Sequence, residues 1–166
     1  MSVDVKKALD DFGKRVVKEA RTSLTKQRIN VSKELYNSIN YDLKVSKNSF
    51  EFTLNMVDYG KFIDKGVQGK KSNAKAPNSP FKYRDKRPPV KVFDKWSIKR
   101  GIAPRNEKGQ FLSRQQNNFR IANAVYNYGI KTTNFFSKPF ESAFKSLPDE
   151  LTEAYALTID KLLANA

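Results

Sequence analysis

The chain carries 32 Lys and Arg against 17 Asp and Glu in 166 residues, and it has neither Cys nor His. Without Cys there is no disulfide framework and no thiol nucleophile; without His the commonest zinc ligand and general base are missing, which closes off much ordinary enzymology. Most of the net charge of +15 is concentrated between Lys61 and Arg120, where 11 Lys and 6 Arg face only Asp64, Asp85, Asp94 and Glu107, a block that suits nucleic acid, an acidic protein partner or a solvated face.

Taken in order, Leu9, Phe12, Val16, Ala20 and Leu24 fall three and four apart, the stripe of an amphipathic helix over residues 3–26. Arg15 and Glu19 are expected as solvated neighbours on its outer face. A polar link from Asn30 to Ile39 follows, in which Ser32 is expected to cap a short turn that carries Leu35 inward. Ile39, Tyr41, Leu43 and Val45, then Phe50, Phe52, Leu54 and Met56, alternate with polar residues, so each stretch reads as a strand with one apolar face. Lys47, Asn48 and Ser49 between them favour an antiparallel hairpin. The period then changes. Val57, Tyr59, Phe62 and Ile63 recur at helical spacing, and Gly66 suits a helix stop. A hairpin alone is marginal, so the terminal helices are expected to cover it.

Val67 to Pro89 holds five of the chain's Gly and Pro residues, Gly69, Pro77, Pro80, Pro88 and Pro89, without periodicity. It reads as a long loop that orders on a partner, pinned by Phe81 and Tyr83. Pro89 suits the start of a helix bearing Val92, Phe93, Trp96 and Lys99, with Trp96 expected in a core. Gly101 to Ser113 is a second basic loop. Phe119, Ala122, Val125 and Tyr126 mark another helix ended by Gly129. Thr132 to Phe136 is β-prone and is expected to extend the sheet. Lys138-Pro139-Phe140 opens the last element, whose stripe is Phe140, Phe144, Leu147, Leu151, Tyr155, Thr158 and Leu162, with a break or kink expected at Ser146-Leu147-Pro148-Asp149. Phe12, Val16, Phe52, Leu54, Phe144 and Leu151 are the predicted core.

The expected fold is a single α+β domain over residues 1–166: a small antiparallel sheet packed by long N- and C-terminal helices, with a basic, loop-rich helical insertion at 67–129. No apolar run reaches the length of a membrane span and no secretory pattern opens the chain, so no membrane partner is expected. No phosphate-cradling glycine loop, nucleophile elbow or metal-ligand cluster is present, so neither catalysis nor a cofactor or metal is expected. Asp42, Lys44 and Glu51 are the nearest approach to nuclease chemistry, and they sit where the solvent face of the hairpin belongs.

The order of these features resembles the tail-completion, or head–tail connector, proteins of tailed bacteriophages, minor structural proteins of the virion neck. The residues that carry the resemblance are Leu35, Ser38 and Ile39 leading into the hairpin, with Lys33 where the family usually has Gly. Tyr59, Phe62, Ile63, Asp64 and Gly66 follow, Asp64 standing for a usual Glu, and then Trp96 with Arg100 and Gly101. Gly129 and Ile130 come next, and Lys138, Pro139 and Phe140 close the set. The resemblance implies a homo-oligomeric ring that joins the portal and head to the tail, present in the virion and in the host cytoplasm during assembly. Its partners would be portal, connector and tail proteins, with non-specific contact with packaged DNA left open. The basic loop residues Lys70, Lys71, Lys82, Arg84, Lys86 and Arg87 are the expected partner-binding set. The alternative reading is a basic nucleic-acid-binding protein.

Overall fold

The computed structural model describes residues 3–29, 32–46 and 49–164. Asn30, Val31, Lys47 and Asn48, and the side chains of Tyr155, Thr158 and Leu162, lie outside what is described. Along the chain run α1 (Val3–Lys26), α2 (Glu34–Ser38), β1 (Asn40–Val45), β2 (Phe50–Asn55), α3 (Gly60–Lys65), α4 (Val92–Lys99), α5 (Arg114–Tyr128) and α6 (Ser137–Ala164). The architecture is α+β, with helices packed on a two-stranded antiparallel sheet. The chain divides into two compact units, residues 1–58 with 135–166, and residues 59–134. The second unit contains residues 67–129 together with α3 and the stretch after Gly129.

In the first unit the alternation of the strands does what period two requires. The register pairs Tyr41 with Leu54 and Leu43 with Phe52, and it pairs Lys44 with Glu51 on the outer face. Leu43, Phe52 and Leu54 pack on a core made by Val5, Leu9, Phe12 and Val16 of α1 and by Ala143, Leu147 and Ala154 of α6. The Phe12 ring is the joint, with its centroid 5.3 Å from Phe52 and 6.0 Å from Phe140. Each such side chain contributes about 1.5–3 kcal/mol by leaving water. Toward the turn the apolar face runs out, and Val45 and Phe50 are exposed.

Several expectations need correction here. Phe144 is 52 % exposed, because the face that α6 turns to α1 runs through Ala143, Leu147 and Ala154. Small residues there let the two helices approach, and the larger ring is left outside. α6 continues through Pro148 instead of breaking. The lost N–H of proline costs one helical bond, which the packing of Leu147 and Leu151 on either side offsets. Ser32 does not cap α2: the N-cap is Lys33, in the left-handed conformation at φ 58°, with no side-chain cap bond. Leu35 is buried as expected. Thr132 to Phe136 adds no strand, and its first residues serve α3 instead. Thr133 Oγ1 donates to the Ile63 carbonyl at 2.7 Å, Thr132 Oγ1 to that of Lys65 at 2.8 Å, and the Thr133 and Asn134 amides to that of Asp64. A short helix leaves its last carbonyls without internal partners, and this segment satisfies them.

Arg15 turns to α6 rather than to Glu19. Its guanidinium donates to both carboxylate oxygens of Glu150, at 2.7 and 2.9 Å, and that bond holds the Glu150 carboxyl below its usual 4.5. A carboxylate lowered on folding adds stability above its unfolded value and loses it as pH falls through the folded one. Both side chains are about one-third exposed, so solvent screening limits the pair to about 0.5–1 kcal/mol. Glu150→Gln is expected to remove that increment at pH 7 and to leave stability unchanged once the pH has fallen through the lowered folded-state value and the carboxylate is protonated. Denaturant melts at pH 7 and along an acid series check it; an equal loss throughout would mean that packing, not charge, ties Arg15 to α6.

Candidate partner-binding surface

The second unit holds 18 Lys and Arg against four Asp and Glu, a net charge of +14, and leaves +1 for the first. Two of its ion pairs are Lys65 with Asp64 at 3.9 Å and Arg114 with Asp94 at 3.7 Å. The rest of its surface is an excess of cations, arranged by a loop that the absence of periodicity identified as irregular without revealing how densely it is bonded.

Val67 and Ile130 exchange backbone bonds of 2.9 and 2.8 Å. Beside them the Gln68 amide donates to the Phe81 carbonyl and the Tyr83 amide donates to that of Gln68. The Gln68 side chain donates to the carbonyls of Pro77 and Ser79, and buried Ser79 donates its hydroxyl to the Gly66 carbonyl at 2.7 Å. Lys70 and Lys71 donate their amides to the Tyr126 and Asn127 carbonyls. Residues 67–83 are thus laid against the end of α5 by main-chain bonds, so the Lys and Arg side chains between them are spared for solvent.

Three of the six predicted partner-binding residues meet around Tyr126. Lys70 Nζ stands 5.6 Å from the ring centroid, and the Arg87 guanidinium stands 5.8 Å from it and 5.1 Å from that of Phe119. The Tyr126 hydroxyl donates to the Arg84 carbonyl at 2.7 Å, and the Tyr83 ring lies 6.1 Å away. The Tyr126 hydroxyl also raises the Lys70 ammonium above its ordinary range, and burial raises the Tyr83 phenol. Lys71 and Lys86 are exposed and join none of these rings, and Lys82 lies exposed farther along the loop. The spacing of Phe119, Ala122, Val125 and Tyr126 marks α5, which ends at Gly129 as expected. Of these only Ala122 is fully buried, beside Asn117 and Asn118, and Phe119 is 47 % exposed. Asn118 joins the two helices: its side-chain oxygen accepts from Ser97 Oγ at 3.0 Å and its amide donates to Asp94 at 3.1 Å. Nothing in the spacing marks this polar seam, because buried Asn and exposed Asn look alike in sequence.

Trp96 is also not in a core. It is 38 % exposed, edge-on to Phe93 and with the Arg100 guanidinium 5.9 Å from its ring. Arg105 lies 3.9 Å from the Phe111 centroid. Gly101, after α4, has φ 63° and open space around it.

The motif residues fall into both units. Ser38 Oγ donates to the Leu35 carbonyl and accepts from the Val57 amide, fastening the lead-in of the hairpin to its exit. Ile39 is fully buried. Pro139 is buried and Phe140 half-buried in the first turn of α6, with Lys138 exposed between them and Ser137. In the second unit Asp64 is buried, Phe62 and Ile63 are half-buried, and Tyr59 is 40 % exposed. Gly66 has φ 71° and ψ −179°, a region that only glycine occupies readily.

No family model, curated protein or solved structure matches the chain. Among the described residues no group of acidic side chains is placed to hold a metal ion, and no helix is long and apolar enough to cross a membrane. Asp42, Lys44 and Glu51 are exposed on the outer face of the hairpin, where Lys44 and Glu51 form a 3.5 Å pair.

Proposed function

We propose that this protein is a non-catalytic structural component of a tailed-phage neck, a ring subunit joining the portal to the tail. It would reside in the virion and, before assembly, in the host cytoplasm. The observation that carries the reading is Lys33. Its φ of 58° and ψ of −1° place it in the left-handed region, at the position where the resembled family usually has glycine. A motif position whose backbone demands glycine, in a chain that carries lysine there, supports the motif alignment independently of side-chain identity. Segregation of nearly all net charge into one unit supports a partner-facing surface, and a ring needs one surface that docks on a different surface of the next subunit. Imaging of purified virions with an antibody to the chain tests the reading: label at the neck is expected, and particles lacking the protein would overturn it.

Lys33→Gly is expected to stabilise the first unit by up to about 1 kcal/mol, since the left-handed conformation costs an L-residue roughly 1–2 kcal/mol and glycine loses somewhat more chain entropy. A thermal or denaturant melt reads it. A loss of stability would mean that the lysine makes a contact worth more than the strain.

The Arg–aromatic contacts favour a second reading, a nucleic-acid binder. An arginine held over a ring keeps N–H donors for phosphate. Salt separates the two. Any chain of this charge binds DNA weakly at low salt, but a dedicated binder keeps sub-micromolar affinity at physiological salt. Replacing Lys70, Lys71, Lys82, Arg84, Lys86 and Arg87 together by Gln is expected to lower the yield of infectious particles at least tenfold. Normal assembly by the substituted protein, with loss of tight DNA binding at physiological salt, would give the second reading precedence.

A further inference from the structure

The Tyr59, Phe62 and Ile63 motif is not consumed by the packing of α3, whose buried residues are Gly60 and Asp64. Its side chains instead line one wall of a groove within the second unit, of about 550 Å³, whose other wall is the loop stretch from Pro80 to Arg84. The volume is within the range of about 300–1,000 Å³ usual for ligand sites. Val67 and Ile130 add aliphatic surface to the lining, and the groove is bordered by Lys82 and Arg84 with no carboxylate in it. Neither cation is ion-paired among the described residues. The loop wall also keeps a backbone edge open. In its pairing with Gln68 it uses the Phe81 carbonyl and the Tyr83 amide. In an extended chain the amide and carbonyl of the residue between them, Lys82, therefore point the other way.

We propose that this groove receives an extended acidic protein segment. One aromatic or branched aliphatic side chain of that segment lies on the apolar lining, flanking carboxylates meet Lys82 and Arg84, and the exposed edge at Lys82 aligns its main chain. Charge complementarity selects an acidic occupant. The main-chain edge at Lys82 selects protein over nucleic acid, because a polypeptide can continue that backbone pairing and a nucleic acid cannot. Phe62 and Phe81 line the apolar part of the groove edge to face, with centroids 4.6 Å apart and planes at 65°. The exposed Arg–aromatic contacts at Phe119 and Phe111 are made by residues outside the groove lining. The inference concerns the groove alone and does not depend on the neck reading.

The test presents the intact protein to a random peptide library of about a dozen residues at physiological salt. The selected peptides are expected to be rich in Asp and Glu around one aromatic or branched residue. A fluorescent copy of one of them is expected to bind at least tenfold more weakly to Tyr59→Ala and to the Lys82→Glu, Arg84→Glu double variant. All three positions are exposed, so circular dichroism should report an unchanged fold, and Lys108→Glu, exposed in the same unit and outside the groove lining, serves as a charge control that retains binding. No enrichment, enrichment without acidic residues, or equal binding to wild type and both groove variants would overturn the proposal. Displacement of the peptide by an oligothymidylate, with the same loss on the variants, would reassign the groove to nucleic acid. Self-association abolished by those variants would reassign it to a second copy.

Discussion

Truncation of Phe12 to alanine is expected to cost the first unit about 3–5 kcal/mol, the range for removing a fully enclosed aromatic ring. The ring is 2 % exposed and touches the hairpin through Phe52 and α6 through Phe140, so its loss opens a cavity where three elements meet. Small domains are stable by only about 5–15 kcal/mol, so the variant should melt far earlier or fail to accumulate. Phe144→Ala is the matched control. Its ring is half exposed on the same helix as Phe140, and a change within about 1 kcal/mol is expected. Denaturant titration of both variants decides the matter; similar losses would mean that α6 is rotated from the face described above.

Gly129→Ala is expected to be the most damaging single change in the second unit, at about 2 kcal/mol or more. Two independent costs act at this position. Its φ of 73° and ψ of −175° belong to the region that glycine alone occupies readily, worth roughly 1–3 kcal/mol for any other residue. An added Cβ would also run into the Val67 carbonyl oxygen and come within 2.7 Å of the Gly69 amide nitrogen, both rigid backbone. The Val67 oxygen accepts from Ile130 in the pairing that lays the basic loop against α5, and the Gly69 amide donates to the Ser72 carbonyl within that loop. The loss should therefore appear as faster amide exchange at Val67, Gln68 and Lys70 before it appears as global unfolding. Unchanged exchange there would mean that the loop is held from elsewhere.

What the sequence by itself determined is the set of local elements. Period-three-to-four stripes place α1, α4 and α5, and period-two alternation places the hairpin, because each pattern follows from the backbone geometry of one element and needs no neighbour. The glycine that stops α3 and the one that stops α5 were legible for the same reason: a positive φ is a local demand. The concentration of charge at 61–120 was also plain, since it is only a count. Tertiary structure decided the rest, wherever an alternative of similar local propensity was chosen by a distant partner. The Thr132 to Phe136 stretch has strand propensity, but the unsatisfied carbonyls of α3 took its hydroxyls and amides. Phe144 and Ala143 are adjacent on α6, and the close approach of α1 chose the smaller. Pro148 should end a helix, yet the core on either side of it holds the helix together. Arg15 had a helical neighbour in Glu19 and found Glu150 instead. The candidate groove was out of reach of the sequence altogether. Its walls come from residues 59–67, 80–84 and 130, which nothing in their spacing unites, and a concave surface exists only once the backbone bonds of Val67 and Gln68 have drawn those three stretches together.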